Sequence, residues 1–187
     1  MIYVVRHGQT DLNKEDRLQG RLGLPLNEYG MNEAKSLKNK LVNIEFDYVF
    51  SSPQERAIKT AEIISGTTPI IDRRIDVYEL GEADRLKKSE VKMSGMIPDS
   101  SVYKGIEKNS SFVKRIFDFM EELETRYSNK DVNILLIGHR CTTSCIGAFF
   151  EGVPSDGNIL KYSLRNGEYK VYQFSDNNTN IGSQPTI

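Results

Sequence analysis

The chain carries only two histidines, and both stand in the same setting. His7 lies in Arg6-His7-Gly8, directly after the apolar run Ile2-Tyr3-Val4-Val5. His139 lies in Gly138-His139-Arg140, directly after the run Val132 to Ile137. A single histidine is ordinarily a surface residue or a satisfied core residue. Two of two at strand ends, each beside arginine and glycine, shift the reading toward chemistry. A neutral imidazole can attack an electrophile near pH 7 without a metal. Arg6 adjoins the first histidine, and Arg56 falls in the first turn of a helix expected from Pro53. A guanidinium offers a planar fork of donors that fits a phosphate-like oxyanion. Helix N-termini near Pro53 and Arg140 would aim further N–H groups at such an anion. Taken alone, Arg56 would be read as a solvated helix residue.

Composition narrows the alternatives. Twenty-five Lys plus Arg against 26 Asp plus Glu in 187 residues give a net charge of −1, which removes the basic excess that binding to nucleic acid or an anionic membrane usually needs. Cys141 and Cys145, the only two cysteines, supply neither a disulfide framework nor a zinc ligand set. Four apart on one expected helix, they read as buried small side chains. No metal and no cofactor are expected. The opening apolar run stops at Arg6, far short of a signal core or a membrane span, and a cytoplasmic location follows by default. Cys-based phosphatase chemistry needs an arginine six positions after the cysteine, where this chain has Gly147 and Glu151. A Walker-type phosphate loop and a Gly-x-Ser-x-Gly elbow are both missing from the sequence.

The elements that must hold these residues alternate between strand and helix. Ile2 to Val5 reads as a buried strand, followed by a loop through Gly20, Gly23 and Pro25. Asn27 is placed to cap a helix bearing Ala34, Leu37 and Leu41. Phe46 to Phe50 reads as a strand, and Ser52-Pro53-Gln54-Glu55 as a capping box opening a helix with Ala57, Ile58, Ala61 and Ile64 on one face. A third strand is expected over Thr68 to Ile71. From about Asp72 to Ser110 the pattern breaks into charges and glycines, which implies short helices in a lid-like excursion. A helix follows from Ser111 through Leu123, then the strand Val132 to Ile137 and a helix from Arg140 to about Phe150. Ile159 to Leu164 and Tyr169 to Phe174, joined at Asn166-Gly167, read as a hairpin. The expected fold is α/β, a three-layer α/β/α sandwich around a mainly parallel sheet, with an irregular lid-like insertion in mid-chain. Residues 1–175 form one domain in this reading, and 176–187 a polar tail. In such sheets ligands bind at the carboxyl ends of strands, so both histidines can share one crevice.

Arg6-His7-Gly8-Gln9-Thr10, Asn13, Gln19-Gly20 and Pro25-Leu26-Asn27-Glu28-Tyr29-Gly30 resemble the opening signature of the histidine phosphatase (phosphoglycerate mutase-like) superfamily. Ser51-Ser52-Pro53 with Arg56, Ala57, Thr60 and Ala61 is similar to its second motif, and the resemblance returns around Leu135 to His139. The resemblance implies that His7 takes the phosphoryl group onto its ring nitrogen. Arg6, Arg56 and His139 would then stabilise the charge that spreads over the phosphoryl oxygens. Asn13, Gln19 and Gly20 match positions of the phosphate pocket. The family also uses a mid-chain acid to protonate the leaving oxygen; Glu79, in Val77-Tyr78-Glu79-Leu80-Gly81, is the nearest match, with Glu82 and Asp84 as rivals. As general acid, Glu79 must be partly shielded and hold its proton at pH 7.

Two departures bear on substrate choice. Glu82-Ala83-Asp84-Arg85 replaces the family's glycine-aromatic and Trp-Glu-Gly segment, and Arg140-Cys141 replaces the glycine usual after the second histidine. Arg140 is therefore a candidate contact for phosphate or for a substrate carboxylate. The expected activity is hydrolysis of phosphate monoesters of small molecules through a phosphohistidine. The alternatives are phosphoglycerate mutase-type transfer, for which the chain is short, and a non-catalytic phosphoryl-binding protein, for which the retained histidines and arginines have no purpose.

Overall fold

The computed structural model describes residues 1–174, so the polar tail expected at 176–187 lies outside the described residues. Five strands form the main sheet: β1 (Ile2–Arg6), β2 (Tyr48–Ser51), β3 (Ile70–Ile71), β6 (Ile134–Gly138) and β7 (Tyr169–Tyr172), in the order β3-β2-β6-β1-β7. Between β3 and β6 in the chain, β4 (Met93–Ser94) and β5 (Ile97–Pro98) make a separate two-stranded hairpin. The first four strands of the main sheet run parallel, and β7 closes the edge antiparallel to β1. Five helices accompany them: α1 (Asp11–Lys14), α2 (Glu28–Lys40), α3 (Glu55–Ser65), α4 (Asn109–Tyr127) and α5 (Arg140–Glu151).

Alternation along the strands explains the layers. Ile2 and Val4 of β1, with Ile134 and Leu136 of β6, face a core that includes Phe112, Ile116 and Phe119 of α4 and Ile146 of α5. Tyr3 and Val5, with Leu135 and Ile137, face the opposite core with Leu37 of α2 and Ala57, Ala61 and Ile64 of α3. A strand buried on both faces has no polar stripe, which is why both central strands read as continuous apolar runs. The result is the α/β/α sandwich expected from the sequence.

Four local readings need correction. The residues after His7 do not stay a loop: Thr10 caps the short helix α1, with the Asn13 side chain completing a capping box. Ser52 does not cap α3, which begins two residues later behind Gln54, because the Ser52 hydroxyl is bonded to His139 and Asp76. Ile159–Tyr162 is a 3₁₀ turn rather than the first strand of a hairpin, so β7 pairs with β1 instead. Asn158 starts that turn by accepting from the Leu160 N–H. The excursion contains 3₁₀ turns at Arg73–Ile75 and Gly81–Ala83 plus the β4–β5 hairpin, and its near end belongs to the core, since Ile75, Tyr78 and Leu80 are buried against α4. Arg115 of α4 pins this stretch by donating to the carbonyls of Arg74, Asp76 and Val77 at 2.7, 2.8 and 3.0 Å.

The loop after β1 is fixed by close backbone approach. Gly8 lies against Gly30, in the first turn of α2, so a Cβ at Gly8 would overlap the Gly30 carbonyl and one at Gly30 would overlap the Gln9 backbone. Asn27 links the same parts: its Oδ1 accepts from the Gly30 N–H at 2.9 Å and its N–H donates to the Gln9 carbonyl at 3.1 Å. Gly30→Ala is therefore expected to lower stability by about 2 kcal/mol or more in urea denaturation; an unchanged midpoint would show that the loop is not anchored by this contact.

Candidate active site

Strand register places the two imidazoles side by side. Arg6 pairs with Gly138 across the parallel β1–β6 ladder, so the next residues, His7 and His139, leave the carboxyl edge of adjacent strands together. Their ring centroids are 5.1 Å apart, and both residues are nearly sealed from solvent, at 3% and 2% exposure. Strand β2 flanks β6 on its other side, and its continuation brings Ser52 to the same edge, with the Ser52 N–H donating to the Ile137 carbonyl at 3.1 Å.

The hydrogen bonds around His7 define its chemistry. Its Nδ1 lies 2.7 Å from the Gly8 carbonyl, which can only accept, so Nδ1 carries the proton. The other nitrogen, Nε2, is left with a bare lone pair toward which Arg56 Nε–H points at 3.4 Å. Burial, followed by the charges of Arg56 and Arg6, drives the His7 pKa well below 6.5. The ring is thus held neutral, with its lone pair on Nε2. Asn166 and Gly167, in the turn before β7, hold the His7 carbonyl from behind by donating their side-chain and backbone N–H groups at 3.0 and 3.4 Å. Thr60 Oγ1 accepts from the Gly8 N–H at 3.2 Å, tying the loop to α3.

His139 is oriented through a chain of polar groups. Its Nε2 is 2.7 Å from Ser52 Oγ, and Ser52 Oγ–H donates at 3.2 Å to the Asp76 carboxylate. Ser52 therefore accepts the Nε2 proton. The His139 Nδ1 is buried without a hydrogen-bond partner among the described residues, and burial, then Arg56, lowers its pKa well below 6.5. Asp76 also accepts from Gln54 Nε2 at 2.9 Å and from the Val77 N–H at 2.7 Å, and it pairs with Arg21 at 3.3 Å.

Two guanidiniums complete the cluster. Arg56 is 2% exposed and donates to the Gly20 carbonyl at 3.0 Å; burial lowers its pKa to about 10, against the opposing pull of Asp76 and Asp84. Arg6 donates to the Leu164 carbonyl at 3.0 Å, its buried Nε lacks a partner among the described residues, and burial together with Arg140 lowers its pKa to about 10. Both stay charged at neutral pH.

These groups meet a cavity of about 550 Å³ whose wall includes Arg6, His7, Asn13, Gln19, His139 and Arg140. The Asn13 Oδ1 accepts from the Thr10 N–H at 3.1 Å and from Asn166 Nδ2 at 3.2 Å, which leaves its amide nitrogen to donate elsewhere. Gln19 Oε1 accepts from Thr10 Oγ1 at 2.9 Å and from the Leu24 N–H at 3.1 Å. Arg140 opens α5, is exposed, and forms no ion pair among the described residues. Cys141 lines the cavity beside it, whereas Cys145 is buried.

Gly20, Arg56 and Glu79 are not wall residues. Arg56 reaches the site through His7, and Gly20 acts by its backbone, accepting from Arg56 and donating to Asp84 Oδ1 at 2.8 Å. Glu79 is 31% exposed at its side chain and pairs with Arg21 at 3.1 Å, while its chain neighbours Val77, Tyr78 and Leu80 line the cavity. Of its rivals, Asp84 is spent holding the Gly20 and Leu22 N–H groups, and Glu82 accepts from the Lys104 N–H on the exposed side. Sequence reasoning missed Ser52 as the partner of His139, and it gave no site role to Asp76, Arg21, Thr60 or Asn166. The second serine of Ser51-Ser52-Pro53 and the Asn166-Gly167 turn were visible signals, whereas Asp76 had none.

Because both imidazoles are held neutral, unfolding below pH 6.5 lets them take up protons that the native state refuses. Their contribution is present above the unfolded value of 6.5 and lost as the pH falls. Urea denaturation should show stability falling by about 1 kcal/mol in all for each histidine between pH 7.5 and 5.5, with most of the fall below pH 6.5. His139→Gln should give a shallower fall than wild type; parallel curves would show that His139 titrates normally in the native protein.

Comparison with known proteins agrees with this geometry. The sequence pattern of the histidine phosphatase superfamily (branch 1) matches residues 2–184. The uncharacterized phosphatase PhoE of Bacillus subtilis is 28% identical over 141 residues, covering 74% of this chain and 70% of that protein. A protein of Escherichia coli O1:K1 / APEC named probable phosphoglycerate mutase GpmB is 28% identical over 171 residues, covering 82% of this chain and 76% of its own. Among solved structures, the alpha-ribazole phosphatase from Shigella flexneri superposes with a TM-score of 0.75 at 23% identity, covering 90% of this chain and 87% of that one. With the two histidines, their arginines and the sheet edge that presents them all in place, the chain belongs to the histidine phosphatase superfamily.

Proposed function

We propose that this protein is a phosphatase that hydrolyses phosphate monoesters of small molecules through a phosphohistidine on His7, without a metal. One observation carries the reading: the His7 Nε2 lone pair is unprotonated, buried, and surrounded by Arg6, Arg56 and His139 beside an open cavity.

In the first half-reaction Nε2 attacks phosphorus, the ester P–O bond breaks, and the leaving oxygen takes a proton. Arg6, Arg56 and Arg140 balance the negative charge spread over the phosphoryl oxygens, and Asn13 donates to the same group. The arriving negative charge reverses the field that keeps His139 neutral. His139 then takes onto its unpartnered Nδ1 the proton that a monoanionic ester brings, and this Nδ1–H hydrogen-bonds a phosphoryl oxygen while Nε2–H stays on Ser52. Gly20 and Gln19 keep the wall in register through Arg56 and Thr10. Glu79 is the proposed general acid, since it stands between the cavity-lining Tyr78 and Leu80, whereas Asp84 holds the Gly20 and Leu22 N–H groups and Glu82 the Lys104 N–H. In the second half-reaction water attacks the phosphohistidine, the carboxylate of Glu79 takes its proton, and the P–N bond breaks to release phosphate and neutral His7. Among the described residues no helix is long and apolar enough to cross a membrane, and a cytoplasmic setting suits an enzyme with two free thiols.

Wild-type protein should release phosphate from p-nitrophenyl phosphate in the presence of a metal chelator, and His7→Ala should lose at least about 10³-fold in kcat. Equal rates in the two proteins would refute the phosphohistidine route, and faster isomerisation of a bisphosphate-primed phosphoglycerate than release of free phosphate would favour a mutase. For the proton donor, Glu79→Gln should lower kcat by about 10²-fold or more on an ester with a poor leaving group, and Glu82→Gln should change it little. The opposite ranking would move the role to Glu82.

A further inference from the structure

The cavity is larger than a phosphoryl group, and the rest of its lining meets the leaving group. Besides the phosphate-binding groups, the lining includes Met93, Met96, Ile97 and Pro98 of the β4–β5 hairpin, with Leu160 and Leu164 at the 3₁₀ turn before β7. Its outer cations are already matched: Arg17 pairs with Glu15 at 2.8 Å, Lys88 with Asp16 at 2.7 Å and Arg165 with Glu168 at 2.8 Å. Arg140 directly follows His139 and lines the cavity with it, so it belongs to the phosphoryl end. No Asp or Glu lines the cavity among the described residues, and Glu79 beside it is already paired with Arg21, so an ammonium-bearing leaving group would find no free counter-charge.

The hairpin is anchored on one side only, by Ile97 against the main core and by buried Pro98. It is two-stranded, separate from the main sheet, and leaves Met93 and Met96 at 43% and 44% exposure. Isolated hairpins of this kind are marginal on their own and adjust readily. Methionine adds an unbranched, polarizable surface that moulds to irregular apolar shapes. A cavity of about 550 Å³ is also of a size that holds a drug-sized ligand, well beyond a bare phosphate.

We infer that the substrates are phosphate monoesters of uncharged, apolar alcohols or phenols, and that the Met93–Pro98 hairpin is the element that selects them. This rests on the phosphatase reading. The leaving group lies under the hairpin with its phosphate against His7, and binding energy from apolar burial is carried into the transition state.

Alkyl phosphates test it, because ethyl, butyl and hexyl alcohols are nearly equal as leaving groups. The ratio kcat/KM should rise about fourfold for each added methylene until the cavity is filled, and phosphoserine should be slower than butyl phosphate. The double variant Met93→Ser/Met96→Ser, at positions exposed enough to tolerate polar side chains, should flatten this slope with a near-unchanged urea midpoint. Measurable hydrolysis with no dependence on chain length, or a preference for phosphoserine, would overturn the inference and leave the phosphatase reading standing. A full slope in the folded double variant would overturn the role of the hairpin. Failure to hydrolyse every ester, p-nitrophenyl phosphate included, would overturn the phosphatase reading and this inference with it.

Discussion

Two guanidiniums and two imidazoles are held out of water here without an anion of their own, and that imbalance governs the site. Burial disfavours the charged form of all four groups, and the arginines reinforce the effect on the histidines. The carboxylates nearest to Arg56, Asp76 and Asp84, are each occupied with backbone N–H groups, so they temper the positive field without cancelling it. What remains is a preorganised positive potential in a dry site, where an incoming dianion meets donors that need no reorientation. The surrounding elements hold that arrangement against its own repulsion. Parallel pairing of β1 with β6 fixes the histidines, α3 delivers Arg56, and the Gly20 backbone bonds its guanidinium.

Much of this was legible in the sequence because it follows local rules. The double burial of β1 and β6 shows in Ile2 to Val5 and Val132 to Ile137, which carry no polar alternation. The helix faces of α3 and α4 show in residues spaced three and four apart. Once both histidines followed such strands, a shared crevice was a consequence of α/β geometry. His7, His139, Arg6 and Arg140 could be placed at strand and helix ends from pattern alone, while Glu79 and Asn13 needed the family resemblance.

The rest depends on contacts distant in the chain. Asp76 reaches Ser52 across 24 residues and Arg115 reaches the Arg74 carbonyl across 41, and neither separation leaves a periodic trace. Ser52 illustrates a competition that spacing cannot settle. Ser-Pro-x-Glu is a sound helix start, yet the hydroxyl is taken by an imidazole and the helix begins later. The turn at Asn166-Gly167 was recognisable, but its service to the His7 carbonyl was not. Nor could apolar residues before that turn reveal that they pack as a 3₁₀ segment while β7 joins the far edge of the sheet.

Strand β1 is paired on one side with β6 and on the other with β7, so the earliest strand in the chain is completed by the two latest. During synthesis, the loop that carries His7 can only wait. Its neighbour strand emerges some 130 residues later, and the turn that braces its carbonyl later still. Contacts of such separation impose a large loop-closure cost before they return any stabilisation, which slows folding. The side-by-side placement of the two imidazoles therefore waits on contacts of large sequence separation.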